Sequence, residues 1–116
     1  MNISVFGLGY VGVVCSACFS RDGHKVIGVD VENTKVDLVN NGKSTIIEEG
    51  LEEQIKKSVD KGLLSATRDY KQAVVDTDIS FICVGTPSLS NGAINLAYIY
   101  EVAKQIAEAI KTKDTY

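Results

Sequence analysis

The sequence predicts an α/β fold, a parallel sheet with helices on both faces. Three observations lead there. Short β-branched and aromatic runs alternate with segments of helical spacing along the chain. Those runs are almost unbroken in apolar residues, the pattern of strands covered on both faces. The first of them, Asn2 to Phe6, runs straight into Gly7-Leu8-Gly9-Tyr10-Val11-Gly12, and small and apolar residues follow from Val13 to Ser20, which reads as strand, tight turn and helix. With 116 residues, 45% of them hydrophobic and 23% charged, there is apolar material for one core, so residues 1–116 are expected to form one domain or part of one.

The remaining elements follow in order. Gly23-His24 ends the first helix, and Lys25-Val26-Ile27-Gly28-Val29-Asp30 is a second strand that closes on a carboxylate, completing a βαβ unit. Asn33 to Asn40 carries Val36 and Val39 on one face with Gly42 beyond, a short second helix stopped by glycine. After Gly50 a third helix places Leu51, Ile55, Val59 and Leu63 in one stripe, and the pairs Glu52 with Lys56 and Glu53 with Lys57 are expected on its other side, with Gly62 as its stop. Leu63 to Thr67 is a third strand, Asp69 the expected N-cap of a helix over Tyr70 to Asp76, and Ile79 to Val84 a fourth strand. Gly85-Thr86-Pro87-Ser88 has to be a loop, because Pro87 cannot donate to a ladder and holds Thr86 extended. Asn95 is expected to cap a last helix in which Leu96, Ile99, Val102, Ala103, Ile106 and Ile110 share a face, with Lys111 and Lys113 at the negative end of its dipole.

Right-handed crossovers between these strands leave the Rossmann order 3-2-1-4 as the simplest sheet, with a ligand crevice at the C-terminal ends of strands one and four, where the order switches. Strand four would then be an edge. Ile79-Ser80-Phe81-Ile82-Cys83-Val84 has one polar residue and none of the Lys, Pro or bulge that protects natural edges. The sheet is therefore expected to be incomplete, to need a further strand from the rest of the polypeptide or a second copy, and to self-associate without it.

The glycine turn carries the chemistry. Gly7 permits the sharp exit from the strand, Gly9 lets backbone approach a pyrophosphate, and Gly12 lets helix and strand pack closely. The helix N-terminus behind them is an anion site that needs no Lys or Arg, in keeping with a net charge of −3. Asp30 can accept the adenosine ribose hydroxyls, whereas a 2′-phosphate at roughly 4 Å would be opposed by about 4 kcal/mol per unit charge at an effective dielectric of about 20. NAD is thus expected over NADP. A purely structural glycine turn and a solvated strand-end Asp30 are the bland alternatives. A methyltransferase on a similar sheet would want an acidic residue before the first glycine, where Val5-Phe6 stands.

At this point the chain resembles a known family. Gly7 to Gly12, Gly23-His24-Lys25-Val26-Ile27-Gly28-Val29-Asp30, Lys35, Asn41-Gly42-Lys43-Ser44, Glu49-Gly50-Leu51 and Phe81-Ile82-Cys83-Val84-Gly85-Thr86-Pro87-Ser88 are together similar to the N-terminal NAD domain of the UDP-glucose/GDP-mannose dehydrogenases. The last of these motifs with Asn91-Gly92 is nearest the GDP-mannose-oxidising members. The resemblance implies oxidation of a sugar C6 alcohol to the acid with two NAD per turnover, through a cysteine thioester formed in a substrate domain these residues do not include. It also implies that Tyr10 and Val11 contact the cofactor at the turn, Asp30 and Lys35 the adenosine ribose, and Thr86 the dinucleotide. On the residues alone, Lys35 reads equally as a solvated helix residue, and the alternatives are an ordinary pre-proline residue for Thr86 and a core aromatic for Tyr10. The chain departs from the family at Thr45 and Glu49, where Pro is usual, and at Asn95, where Asp is common.

Other chemistry is weakly supported. Cys15 and Cys18 form a CxxC inside the helix after Gly12, where the dipole helps neither thiol, and are expected to be small buried residues; Cys83 is expected in the core. One His gives zinc too few partners. The net negative charge argues against nucleic acid, and no apolar stretch is long enough to span a membrane, so a cytoplasmic protein is expected. Its partners would be NAD and, through the missing domain, a nucleotide sugar, in a homo-oligomer. A stand-alone NAD(H)-sensing module without catalysis is the alternative.

Overall fold

Pairing between short parallel strands organises the chain. In the computed structural model, which describes residues 1–85, 90, 92 and 96–113, four strands lie in the order β3-β2-β1-β4: β1 (Asn2–Phe6), β2 (Lys25–Val29), β3 (Leu64–Thr67) and β4 (Ile79–Ile82). All pairs are parallel, with Val5 beside Gly28 and Phe81 in the central register. The helices are α1 (Tyr10–Arg21), α2 (Asn33–Asn40), α3 (Leu51–Asp60), α4 (Tyr70–Val75) and α5 (Ala97–Ile110). The expected Rossmann-type order is the observed one.

Two apolar clusters sandwich the sheet. Ile3, Val5, Val26 and Leu64 pack against Val13 and Ala17 of α1, Val36 and Val39 of α2, and Leu51 and Ile55 of α3. On the opposite face Phe6 and Val29 meet Ala73 and Val74 of α4 and Val102 and Ala109 of α5. Hydroxyls stitch this apolar frame where sequence patterning shows only small residues. Ser20 on α1 lies 2.8 Å from the Ser58 hydroxyl on α3, to which Gln54 also donates, and Ser4 meets Ser80 across β1 and β4 at 2.6 Å. Each bond contributes about 1 kcal/mol, and each would cost more if left half-made in the interior.

Several local expectations are corrected. β4 ends at Ile82, so Cys83 and Val84 follow the strand, and Cys83 is half-buried at the edge of the α1 cluster. Cys15 and Cys18 are also half-buried, because the face of α1 turned to the sheet is Gly12, Val13, Ser16, Ala17 and Ser20. Lys56 pairs with Asp60 at 2.9 Å rather than with Glu52, whose carboxylate accepts the Ser44 N–H; among the described residues Lys57 and Glu53 make no ion pair. The N-cap position of α5 falls on Leu96, and Asn95 lies outside the described residues. Lys113 does not serve its own helix. Its ammonium donates to the Val74 carbonyl at 3.0 Å and to that of Thr77, satisfying the end of α4. Asp69 does cap α4, accepting the Gln72 N–H at 3.2 Å.

Candidate dinucleotide site

The site forms where β1 and β2 end side by side. Gly7 leaves β1 at φ +99°, a conformation that side chains disfavour, and its N–H donates to the Val29 carbonyl at 2.8 Å. A Cβ on Gly12 would lie 1.6 Å from the Gly7 carbonyl oxygen, so helix and strand meet backbone to backbone. A Cβ on Gly9 would touch nothing within 4 Å. That contrast separates the roles: two glycines let the turn close on itself, and the third leaves open the side from which a ligand reaches the start of α1. This helix begins without a side-chain cap, so its first-turn N–H groups and dipole face that opening.

Asp30 does more than the sequence suggests. One carboxylate oxygen accepts the Leu8 N–H at 2.8 Å and the other the Glu32 N–H at 2.9 Å. The residue bolts the glycine turn to the end of β2, and each oxygen retains lone pairs for a ribose hydroxyl. Tyr10 is 60% exposed, which excludes the core-aromatic reading, and its hydroxyl donates to Glu48 at 3.3 Å; Val11 is exposed beside it. Thr45 donates to the Leu8 carbonyl at 2.8 Å. The segment from Lys43 to Gly50 is thereby tied to the turn at Thr45 and at Glu48, the first of these by a bond that a Pro at position 45 could not make. Lys35 is partly exposed and pairs with Glu32 at 3.9 Å, adjoining Asp30. Thr86 lies outside the described residues.

Beyond Asp30 a cavity of about 310 Å³ opens on the α5 side, bordered by Val31, Arg68, Tyr70, Val84, Tyr98 and Gln105 among others. Of these, Val31, Arg68, Tyr98 and Gln105 do not stand out in the sequence, although Arg68 directly follows a strand whose end lies beside Asp30. Cys83 stands behind the turn, its carbonyl oxygen 2.7 Å from a Cβ placed on Gly7. Burial, and then the adjacent Cys15 thiol, push the Cys83 thiol up from its ordinary value. Among the described residues no cluster of His, Cys, Asp or Glu could hold a metal, and no helix is long and apolar enough to cross a membrane.

Parallel order 3-2-1-4, a glycine turn opening on a helix N-terminus and a carboxylate at the end of β2 define a dinucleotide-binding domain of the Rossmann type. The family described as UDP-glucose/GDP-mannose dehydrogenase, NAD binding domain, matches residues 1–115. The chain belongs to that family, and its cofactor is NAD. It is 57% identical over 113 residues to GDP-mannose 6-dehydrogenase of Pseudomonas aeruginosa, covering 97% of this chain and 26% of that protein. It is 43% identical over 115 residues to UDP-glucose 6-dehydrogenase of Bacillus subtilis, covering 99% of this chain and 26% of that protein. The crystal structure of a ternary complex of GDP-mannose dehydrogenase from Pseudomonas aeruginosa aligns with a TM-score of 0.96 at 57% identity, over 97% of this chain and 26% of that one. The chain spans about a quarter of the length of these relatives. Nothing among them supports a stand-alone sensing module.

Proposed function

We propose that this chain is the cofactor-holding part of a nucleotide-sugar 6-dehydrogenase that oxidises a sugar C6 alcohol to the acid, with GDP-mannose favoured over UDP-glucose as substrate. The similarity to GDP-mannose 6-dehydrogenase at 57% identity supports the substrate class. The observation that carries the cofactor role is the open face at Gly9 flanked by an Asp30 already locked in place. NAD, when bound, supplies the hydride acceptor, used twice per turnover. The chain's own residues bind and orient it. Gly7 and Gly12 shape the turn, the N–H groups of α1 beginning at Tyr10 and Val11 receive the pyrophosphate over Gly9, and Asp30 accepts the adenosine ribose hydroxyls with Lys35 beside it. Thr86 contacts the dinucleotide. Chemistry on the sugar is left to the remainder of the polypeptide, because Cys15, Cys18 and Cys83 lie on α1 and behind the turn, and Cys83 is held towards its unreactive neutral form. A cytoplasmic, homo-oligomeric enzyme, in which the edge of β4 receives a further strand, completes the proposal.

Calorimetric titration of the full polypeptide with NAD and NADP tests the cofactor role. Binding of NAD is expected to be the tighter, and Asp30→Ala to weaken it by about 1.5–3 kcal/mol, the worth of a hydrogen bond to a charged group. Equal affinities in the unmodified protein would sink the role of Asp30. NADH formation is expected with GDP-mannose, and none from residues 1–116 alone; turnover by these 116 residues would overturn the division of labour.

A further inference from the structure

We propose that Arg68 is a cofactor-specificity residue: it supplies a phosphate-binding cation beside the adenosine ribose position, so that exclusion of NADP rests on Asp30 rather than on a lack of phosphate-binding groups. The inference rests on the placement of the ribose at Asp30. The Asp30 N–H donates to the Thr67 carbonyl at 3.2 Å, which sets the ends of β2 and β3 side by side, and Arg68 is the next residue. Its guanidinium donates to the Asn33 side-chain oxygen at 3.3 Å, at the start of α2, and Arg68 borders the same cavity as Asp30 and Val31.

The charge balance makes this arrangement unusual. Lys35 has Glu32 as its partner, whereas among the described residues Arg68 has no carboxylate within ion-pair distance and meets only a neutral amide. Among the described residues four of its five donors remain for other partners, in a planar fork that matches phosphate geometry. Adenosine with a free 2′-hydroxyl offers that cation no anion. A 2′-phosphate would offer one, as an Arg near this point does in NADP-binding relatives of the fold. Asp30 prevents it, since both its oxygens are fixed by backbone N–H groups and its charge cannot swing away from an incoming phosphate.

The test compares NAD and NADP binding to the full polypeptide as the unmodified protein, Arg68→Ala, Asp30→Asn and the double variant. Asp30→Asn removes the charge while its amide oxygen still accepts the Leu8 N–H. The expected result is that Asp30→Asn narrows the preference for NAD by about tenfold or more, and that adding Arg68→Ala restores most of it, the scale of one charge-assisted contact. Should Asp30→Asn fold poorly, Asp30→Ser replaces it: with Arg68→Ala added, competition by adenosine 2′,5′-bisphosphate is expected to weaken about tenfold more than competition by AMP. Equal losses for both ligands would overturn the proposal and assign Arg68 to the adenine they share. So would a double variant that binds NADP as well as Asp30→Asn does. Failure of the unmodified protein to prefer NAD would instead refute the ribose placement itself.

Discussion

The two edges of the sheet are built differently. At the β3 edge the side-chain amide of Asn40 does what another strand would do: its Nδ2 donates to the Ala66 carbonyl at 2.9 Å and its Oδ1 accepts the Ala66 N–H at 2.8 Å. At the β4 edge Ile79, Phe81 and Ile82 are 43%, 36% and 40% exposed, and a groove of about 430 Å³ runs between the strand and Ile106, Ile110 and Lys113 on the far side. One edge is closed from within by a single polar residue. The other presents apolar side chains to solvent without a charge or a proline among them, the configuration that recruits a further strand. The glycine turn lies between the two: Gly7, Gly12 and Asp30 close it through β1, β2 and α1, with the Cys83 backbone after β4 set against Gly7 and the Thr67 carbonyl at the end of β3 accepting the Asp30 N–H.

Breaking the closed edge should have the largest effect. Asn40→Ala leaves the Ala66 N–H and carbonyl without their partner, and a loss of about 1–3 kcal/mol is expected in urea denaturation. A loss below the error of that measurement would mean that water replaces the amide and that the β3 edge is no better protected than the β4 edge. Charging the open edge should leave stability almost untouched. Ile82→Lys is expected to shift the folding free energy by no more than about 0.5 kcal/mol, while lowering self-association of residues 1–116 in sedimentation at tens of micromolar. Association unchanged by this substitution would show that the open groove is not what draws copies together.

The smallest effect concerns the thiols beside the turn. Since burial and the Cys15 thiol raise the Cys83 thiol, its thiolate fraction near neutral pH falls below that of an ordinary cysteine. Alkylation of Cys83 is expected to be slower than that of free cysteine at pH 8 and to gain on it as pH rises. Mass spectrometry after timed iodoacetamide treatment reads both rates, and faster labelling of Cys83 at pH 8 would contradict the buried environment at the end of β4.

Local chemistry made much of this protein legible in its sequence. The glycine spacing, the β-branched runs and the helical stripes announce strand, turn and helix because each depends on neighbours within a few residues. Asp69 caps α4 and Gly42 takes a positive φ beyond α2 as their positions require. Asp30 could be found because a βαβ unit has a nearly constant length. What tertiary structure alone decided involves groups far apart in the chain. Asp30 as the bolt of the turn, Lys113 as the partner of α4, Thr45 against Leu8, Asn40 on the β3 edge and Arg68 against Asn33 each answer a polar group 22 to 39 residues away. Such pairings have no period and no motif, since they arise only when packing removes water from a backbone or side-chain group and the nearest complementary group has to replace it.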